Sequence, residues 1–211
     1  MRIEYVTFQG RDGRADYVAQ RFASHLRGRV LDVGCDTRRL RSLVPEMDYT
    51  GIDIGGDPDI KIDLEACERL PFDDDAFDCV VCTDVLEHLQ NFHAMFAELV
   101  RVSRRRLIIS LPNCWSSLRT PLFRGRGTVR YYGLPPEPPE DRHKWFFNAD
   151  DVARFMSHHA GGMHYTVESQ YATVNTKLMM RLRRLWNPAG DRYINRFAHS
   201  VWTVLRKNES A

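Results

Sequence analysis

The 211-residue sequence predicts an α/β fold, a mostly parallel sheet with helices on both faces. Three observations carry this. The apolar run Val30-Leu31-Asp32-Val33 breaks at Gly34 into a short polar turn. A second apolar run, Tyr49 to Ile54, follows about twenty residues on and carries an acid, Asp53, at its end, the pattern of a ligand-binding βαβ unit. Apolar strands then alternate with helical periods at short spacing as far as Leu111.

Each element has a local reason. Residues 12–27 read as an opening helix because Ala15, Val18, Phe22 and Leu26 recur on one face, and Gly28 stops it. Strands are expected at Arg29–Val33, Tyr49–Ile54, Ile60–Leu64 and Phe77–Cys82, with a short helix at 37–44 stopped by Pro45. The clearest helix carries the stripe Phe92, Met95, Phe96, Leu99 and Val100. A strand at Leu107–Leu111 follows, and Arg104-Arg105-Arg106 reads as the solvated end of the preceding helix, where cations are favoured. Residues 112–147 hold most of the prolines and read as a long loop, usually a functional feature in a compact domain. Asn148 caps a helix with Val152, Phe155 and Met156 on one face, ended by Gly161-Gly162. A strand at 164–172, a basic apolar helix at 175–186 and a last strand at Val201–Leu205 complete the chain.

Composition narrows the class. Hydrophobic residues at 43% and charged residues at 27% are ordinary for a soluble globular protein. The length suits one domain over residues 1–211, with no repeat or linker. The start, Met-Arg-Ile-Glu-Tyr, lacks an apolar signal core, so a cytoplasmic protein is expected. Five cysteines at irregular spacing argue against a disulfide framework. Cys79-Val80-Val81-Cys82 has a chelating form but lies in an expected strand, where residues three apart face opposite ways. Two buried, inert thiols are expected there.

Four motifs in order resemble the class I S-adenosylmethionine-dependent methyltransferases, in their small-molecule, type 11-like branch. They are Val30-Leu31-Asp32-Val33-Gly34-Cys35, then Gly51-Ile52-Asp53, then Leu70-Pro71-Phe72 through Asp84-Val85-Leu86-Glu87-His88, then Leu107-Ile108-Ile109-Ser110-Leu111-Pro112-Asn113. They span about residues 28–113. The resemblance implies a Rossmann-like, seven-stranded sheet whose last strand is antiparallel, with residues 114–211 on the acceptor side. It also implies S-adenosylmethionine as cofactor. The turn Asp32, Gly34, Cys35, Asp36 would hold its methionine part and Asp53 the ribose hydroxyls. Asp63 and Leu64 would face the adenine, Thr83 the sulfonium, and Ile54, Asp84 and His88 complete the contacts. One departure stands out. The family turn reads Gly-x-Gly-x-Gly, whereas here it reads Gly34-Cys35-Asp36-Thr37-Arg38. Asp tolerates the left-handed conformation better than most residues, and Arg38 is expected to point to solvent.

An oxygen acceptor needs its proton removed, so a base within reach is expected. The candidates are His143, His88, Asp141 and His93. His88 also reads as a helix-start residue that shapes the pocket. His143, in the segment 140–147 of charges and aromatic faces, reads either as a base or as the wall of an acceptor pocket. His88 and His93 do not share a helical face, so no metal is expected. A net charge of +2 lacks the basic surface that nucleic-acid acceptors need. The expected acceptor is a small molecule: a sugar, glycan, lipid-linked or secondary-metabolite hydroxyl. A cofactor-binding but non-catalytic protein is the alternative. Residues 177–186 read as a lid or dimer helix with a solvated basic side, or as a surface lying on an anionic membrane.

Overall fold

The computed structural model describes residues 1–129, 131–139, 141–162, 165–187 and 190–208. The expected sequence elements converge on one eight-stranded sheet. In chain order they are β1 (Arg2–Tyr5), α1 (Gly10–Arg21), β2 (Arg29–Val33), α2 (Arg39–Leu43), β3 (Asp48–Asp53), β4 (Ile60–Lys61) and β5 (Phe77–Thr83). A 3₁₀ turn (Leu86–His88), α3 (Phe92–Val102), β6 (Ser103–Pro112), α4 (Cys114–Arg124) and α5 (Ala149–Gly162) follow. The chain closes with β7 (Tyr165–Val174), α6 (Leu178–Leu185), α7 (Gly190–Phe197) and β8 (Ala198–Lys207).

The strand order is β1-β7-β8-β6-β5-β2-β3-β4. Pairings from β4 through β6 are parallel. β8 runs antiparallel to both neighbours, β6 and β7, as the resemblance implied for the last strand. The eighth strand, β1, is an addition. Its alternating Arg-Ile-Glu-Tyr extends the edge beyond β7 in parallel register, Ile3 beside Ala172. Four residues are too few for a periodicity to identify.

Two apolar layers flank the sheet. One packs α3 and α5 around Phe96, Leu99, Val152 and Met156; the expected stripe supplies five of the six buried positions of α3, and Val102 is the sixth. The other gathers Val18, Phe22 and Leu26 against Trp202, whose indole stacks on Phe22 at 5.9 Å. Cys79 belongs to the second layer and Cys82 to the first, so alternation along β5 separates them. Burial pushes the Cys79 thiol up to about 12 and the Cys82 thiol well above its ordinary range. Asn148 caps α5 reciprocally: its Oδ1 accepts the Asp150 and Asp151 amides at 2.8 and 3.0 Å, while Asp151 Oδ2 accepts the Asn148 amide at 3.0 Å.

Several expectations need correction. Arg104, Arg105 and Arg106 lie within β6, not at a helix end. Arg106 bonds Glu168 at 2.9 Å, and Arg104 and Arg105 face Asp78 at 3.7 and 3.5 Å. Opposite charges on the neighbouring segments draw them into the sheet. The segment 112–147 is not all loop. It opens with α4, whose Pro121 and Ser-Ser pair mask its period. The strand expected from Ile60 to Leu64 pairs only over Ile60–Lys61. Asp63 then turns the chain, its Oδ1 accepting the Glu65 amide at 2.9 Å. The strand expected from residue 164 is β7, and residue 164 itself lies outside the described residues. The basic side of α6 is not freely solvated. Arg181, Arg183 and Arg184 fold over the rings of Tyr5, Phe197 and Tyr193 at 5.0–5.4 Å, while Leu178, Met179, Leu182 and Leu185 are exposed. Among the described residues no helix is long and apolar enough to cross a membrane.

Candidate active site

Parallel strands that alternate with helices leave a crevice outside their carboxyl ends. A cavity of about 470 Å³ opens there, above β2, β3 and β5. All the residues expected to meet a cofactor line it: Asp32, Gly34, Cys35, Asp36, Asp53, Ile54, Asp63, Leu64, Thr83, Asp84 and His88.

The turn after β2 forms one wall. Gly34, Asp36 and Arg38 all adopt positive φ, at 76°, 48° and 56°. The three glycine positions of the resembled motif therefore keep their left-handed backbone although two carry side chains. Only glycine fits at the first. A Cβ on Gly34 would lie 2.4 Å from Val85 Cγ2. Arg38 does not point to solvent. Its guanidinium bonds Asp59 at 2.7 Å and also pairs with Asp57, binding the turn to the chain beyond β3. Left-handed backbone costs a non-glycine residue roughly 1–2 kcal/mol, and these ion pairs hold Arg38 in that conformation.

Asp53 ends β3 and is fixed from two sides. Its Oδ2 accepts the Asp36 amide at 2.9 Å and its Oδ1 the Gly55 amide at 3.0 Å. Asp32 is buried under the cavity floor and accepts the Tyr49 hydroxyl at 2.8 Å. Burial raises its carboxyl to about 6 against the opposing effect of that bond. Burial, with Asp32 and Asp53 nearby, pushes the Cys35 thiol up to about 12, so it is no nucleophile.

α1 roofs the cavity with Arg11 and Arg14, which sequence reasoning missed. Arg14 pairs with Asp84 at 2.6 Å and Arg11 with Asp36 at 3.3 Å. A basic residue on an exposed helix face carries no local sign of a partner some seventy positions away, Asp84 being that far from Arg14 in the chain. Asp84 itself sits at φ 53° after β5 and accepts the Ser110 hydroxyl from β6 at 2.6 Å.

The remaining wall comes from the 3₁₀ turn and the segment 141–147. The Lys144 amide donates to the Glu87 carbonyl at 2.8 Å and the Trp145 indole to the Leu89 carbonyl at 2.7 Å. This lays Asp141, Arg142 and Lys144 along the cavity mouth. His88 faces the cavity, and its Nδ1 lies 2.7 Å from Asp141 Oδ1. His143 stands one layer behind. It is buried, edge-on to His88 at 4.6 Å, stacked on Tyr131 at 4.2 Å, and its Nδ1 meets the Tyr132 hydroxyl at 2.8 Å. Burial, then His88, pulls its imidazole down to about 4. Glu87 is 1% exposed, and its Oε2 has no hydrogen-bond partner among the described residues. Burial first, then Asp84, pushes its carboxyl well above the carboxylate range. His93, weighed with His88 as a candidate base, lies off this cavity, against Trp145 and Phe155. His143, 55 positions further along than His88, takes that place.

Comparisons with known proteins agree with this architecture. A family model described as a methyltransferase domain matches residues 10–161. No curated protein sequence matches the chain. Among solved structures, magnesium protoporphyrin IX methyltransferase from Synechocystis PCC 6803 with bound SAH is 19% identical over 94% of this chain and 84% of its own, with a TM-score of 0.58. A SAM-dependent methyltransferase from Archaeoglobus fulgidus is 16% identical, covering 95% and 96% of the two chains, with a TM-score of 0.62. The methyltransferase domain of bacterial CtHen1-C is 15% identical, covering 94% and 98%, also with a TM-score of 0.62.

Proposed function

The chain belongs to the methyltransferase-domain family, and on that premise we propose that it methylates a hydroxyl of a small molecule, in the class of sugars, glycans and secondary metabolites. It is an S-adenosylmethionine-dependent methyltransferase. The residues present suit that cofactor. An ionised carboxylate offers about four acceptor positions. Backbone amides use one on each oxygen of Asp53, which leaves one on each for two adjacent ribose hydroxyls. The close packing at Gly34, where a Cβ would strike Val85, keeps backbone rather than side chain on the cavity wall at the methionine end. Asp63 and Leu64 would meet the adenine, and Thr83 the sulfur. When bound, S-adenosylmethionine supplies a methyl group already activated on a sulfonium.

The chain's own work is then positioning and proton handling. Holding acceptor and methyl in line supplies up to about 7–11 kcal/mol of the barrier. The single observation that carries the acceptor reading is the cluster in which His88 and Asp141 line the cavity and Glu87 and His143 lie behind them. A methyl transfer to a tertiary amine or a thioether, which has no proton to lose, needs no such cluster. A hydroxyl does, because its proton must leave. His88 and Asp141 meet the acceptor there, and His143 orients the cluster from behind.

The test is transfer of labelled methyl from S-adenosylmethionine to a panel of free sugars, glycolipids and phenols, with His88→Ala in parallel. Product is expected with a hydroxyl acceptor and is lost in the variant. Labelling of amines or thiols alone would overturn the hydroxyl reading.

A further inference from the structure

Three helices at one edge of the sheet carry a charge that the fold does not balance. Residues 113–129 and 175–197, which hold α4, α6 and α7, contain nine Lys and Arg and a single acid, Asp191, in a chain whose net charge is +2. Elsewhere arginines are paired. Arg14, Arg38, Arg39, Arg101 and Arg106 each meet a carboxylate at 2.6–2.9 Å. Among the described residues no carboxylate pairs with any of the nine. We propose that α4, α6 and α7 form a surface that docks on an anionic lipid bilayer.

α6 supplies the apolar half of such a surface. Leu178, Met179, Leu182, Leu185 and Trp186 recur at helical spacing and are 42–85% exposed. No residue of this helix is fully buried. It is held instead by its arginines, Arg181 over the Tyr5 ring at 5.0 Å and Arg184 over the Tyr193 ring at 5.3 Å, so its apolar stripe stays outside the core. α4 adjoins it. Arg119 of α4 and Arg183 of α6 both cover the Phe197 ring, at 4.9 and 5.4 Å, and α4 ends in the exposed Leu122 and Phe123. Leu and Trp beside Arg is the composition of a helix lying in a lipid interface, with guanidiniums at the phosphates and apolar chains below them.

The cations also crowd one another. Burial, then Arg183, lowers the Arg119 pKa from its ordinary value. Arg119 Nε and Arg184 Nη1 meet no acceptor among the described residues. Like charges held together without counter-ions cost free energy, and an anionic surface relieves that cost. Complementarity then selects the partner. A second copy would set the same cations against themselves. A nucleic acid would satisfy the charge, but it takes up aromatic rings by stacking and offers no place for four exposed Leu and Met side chains of α6. A bilayer satisfies both.

The topology ties this surface to the cavity. β8 is antiparallel to β6 and to β7, so β7 runs the same way as β6, β5 and β2. α4 leaves the end of β6, α6 follows the end of β7, and α7 leads into the start of β8. All three therefore stand at the carboxyl edge of the sheet, where the cofactor cavity opens. A protein docked through them turns that edge toward the membrane. Docking of this kind does not depend on which acceptor is methylated.

The test is co-sedimentation of the full chain with two kinds of vesicle, phosphatidylcholine alone and phosphatidylcholine with phosphatidylglycerol in equal amounts. Binding is expected to the anionic vesicles only, with a blue shift of tryptophan emission as Trp186 enters the interface. Leu182→Glu with Leu185→Glu, both exposed, should weaken binding by at least about tenfold. Arg192→Glu with Arg196→Glu, also exposed, should weaken it by on the order of tenfold. Should either pair fail to fold, the wild-type chain decides, because added salt should release it from the vesicles by screening. Absence of binding to anionic vesicles, equal binding to both kinds, or binding that survives the folded variants or high salt unchanged overturns the inference. Tighter binding to a single-stranded RNA than to the anionic vesicles also overturns it and makes the surface a nucleic-acid site.

Discussion

The Asp36 amide donates to Asp53 Oδ2 at 2.9 Å. This bond joins the turn after β2 to the acid that ends β3, across the mouth of the cavity. It fixes the Asp53 carboxylate without exhausting it, because each oxygen keeps an acceptor position. Removing that carboxylate should weaken the site in two ways, by loss of the ribose contacts and by release of the turn.

Asp53→Ala is therefore expected to weaken S-adenosylhomocysteine binding by about 1.5–3 kcal/mol, the range for hydrogen bonds to a charged group. Calorimetry measures this directly. A folded variant with unchanged affinity would mean that the ribose lies elsewhere in the cavity.

Gly34→Ala should both destabilise the protein and impair the cofactor site. The added Cβ would sit 2.4 Å from Val85 Cγ2, at a φ of 76°. The left-handed conformation alone costs about 1–2 kcal/mol, and displacement of Val85 adds to it. Thermal denaturation should show a lower midpoint than wild type. An unchanged midpoint would show that the turn relaxes freely.

Arg14 holds α1 over the cavity through its 2.6 Å pair with Asp84. Both side chains are only partly exposed, at 25% and 19%. Arg14→Ala is expected to loosen this roof by on the order of 1 kcal/mol, or roughly fivefold in the dissociation rate of S-adenosylhomocysteine. Stopped-flow displacement reads that rate. No acceleration would show that α1 does not gate the cofactor.

Stability should fall on the acid side through His199. Burial pulls this imidazole down to about 4, and its Nε2 has no partner among the described residues. The sign follows from proton counts. Between pH ~4 and pH ~6.5 the unfolded chain protonates this histidine while the native state does not. Its contribution is thus complete above pH ~6.5 and is lost as pH falls toward 4, by about 2 kcal/mol at pH 5. Urea unfolding at pH 7 and pH 5 should show His199→Phe losing less stability than wild type over that interval. Equal losses would place the titrating group elsewhere.

Local chemistry in the chain was enough to define the central half of the fold. β2, β3, β5 and α3 were legible because parallel strands buried on both faces read as apolar runs, and a packed helix shows a stripe. The residues named from the resemblance line the cavity, since strand ends and the first turn are placed by sequence neighbours. The opposite faces of Cys79 and Cys82 needed only the two-residue period of a strand.

Tertiary structure alone decided the rest. β1 and α7 are short elements stabilised by partners distant in the chain, Val174 for Tyr5 and the Asn113 side chain for the Ile194, Asn195 and Ala198 carbonyls. The roof made by Arg14 and the convergence of Glu87 and His88 with His143 are also distant pairings. Sequence spacing separated His93 from His88 but could not supply His143, because spacing reports only neighbours on one element. The segment 141–147 folds back onto the 3₁₀ turn through backbone bonds from Lys144 and an indole bond from Trp145. That docking, a product of packing energy rather than local propensity, brings the second histidine to the first.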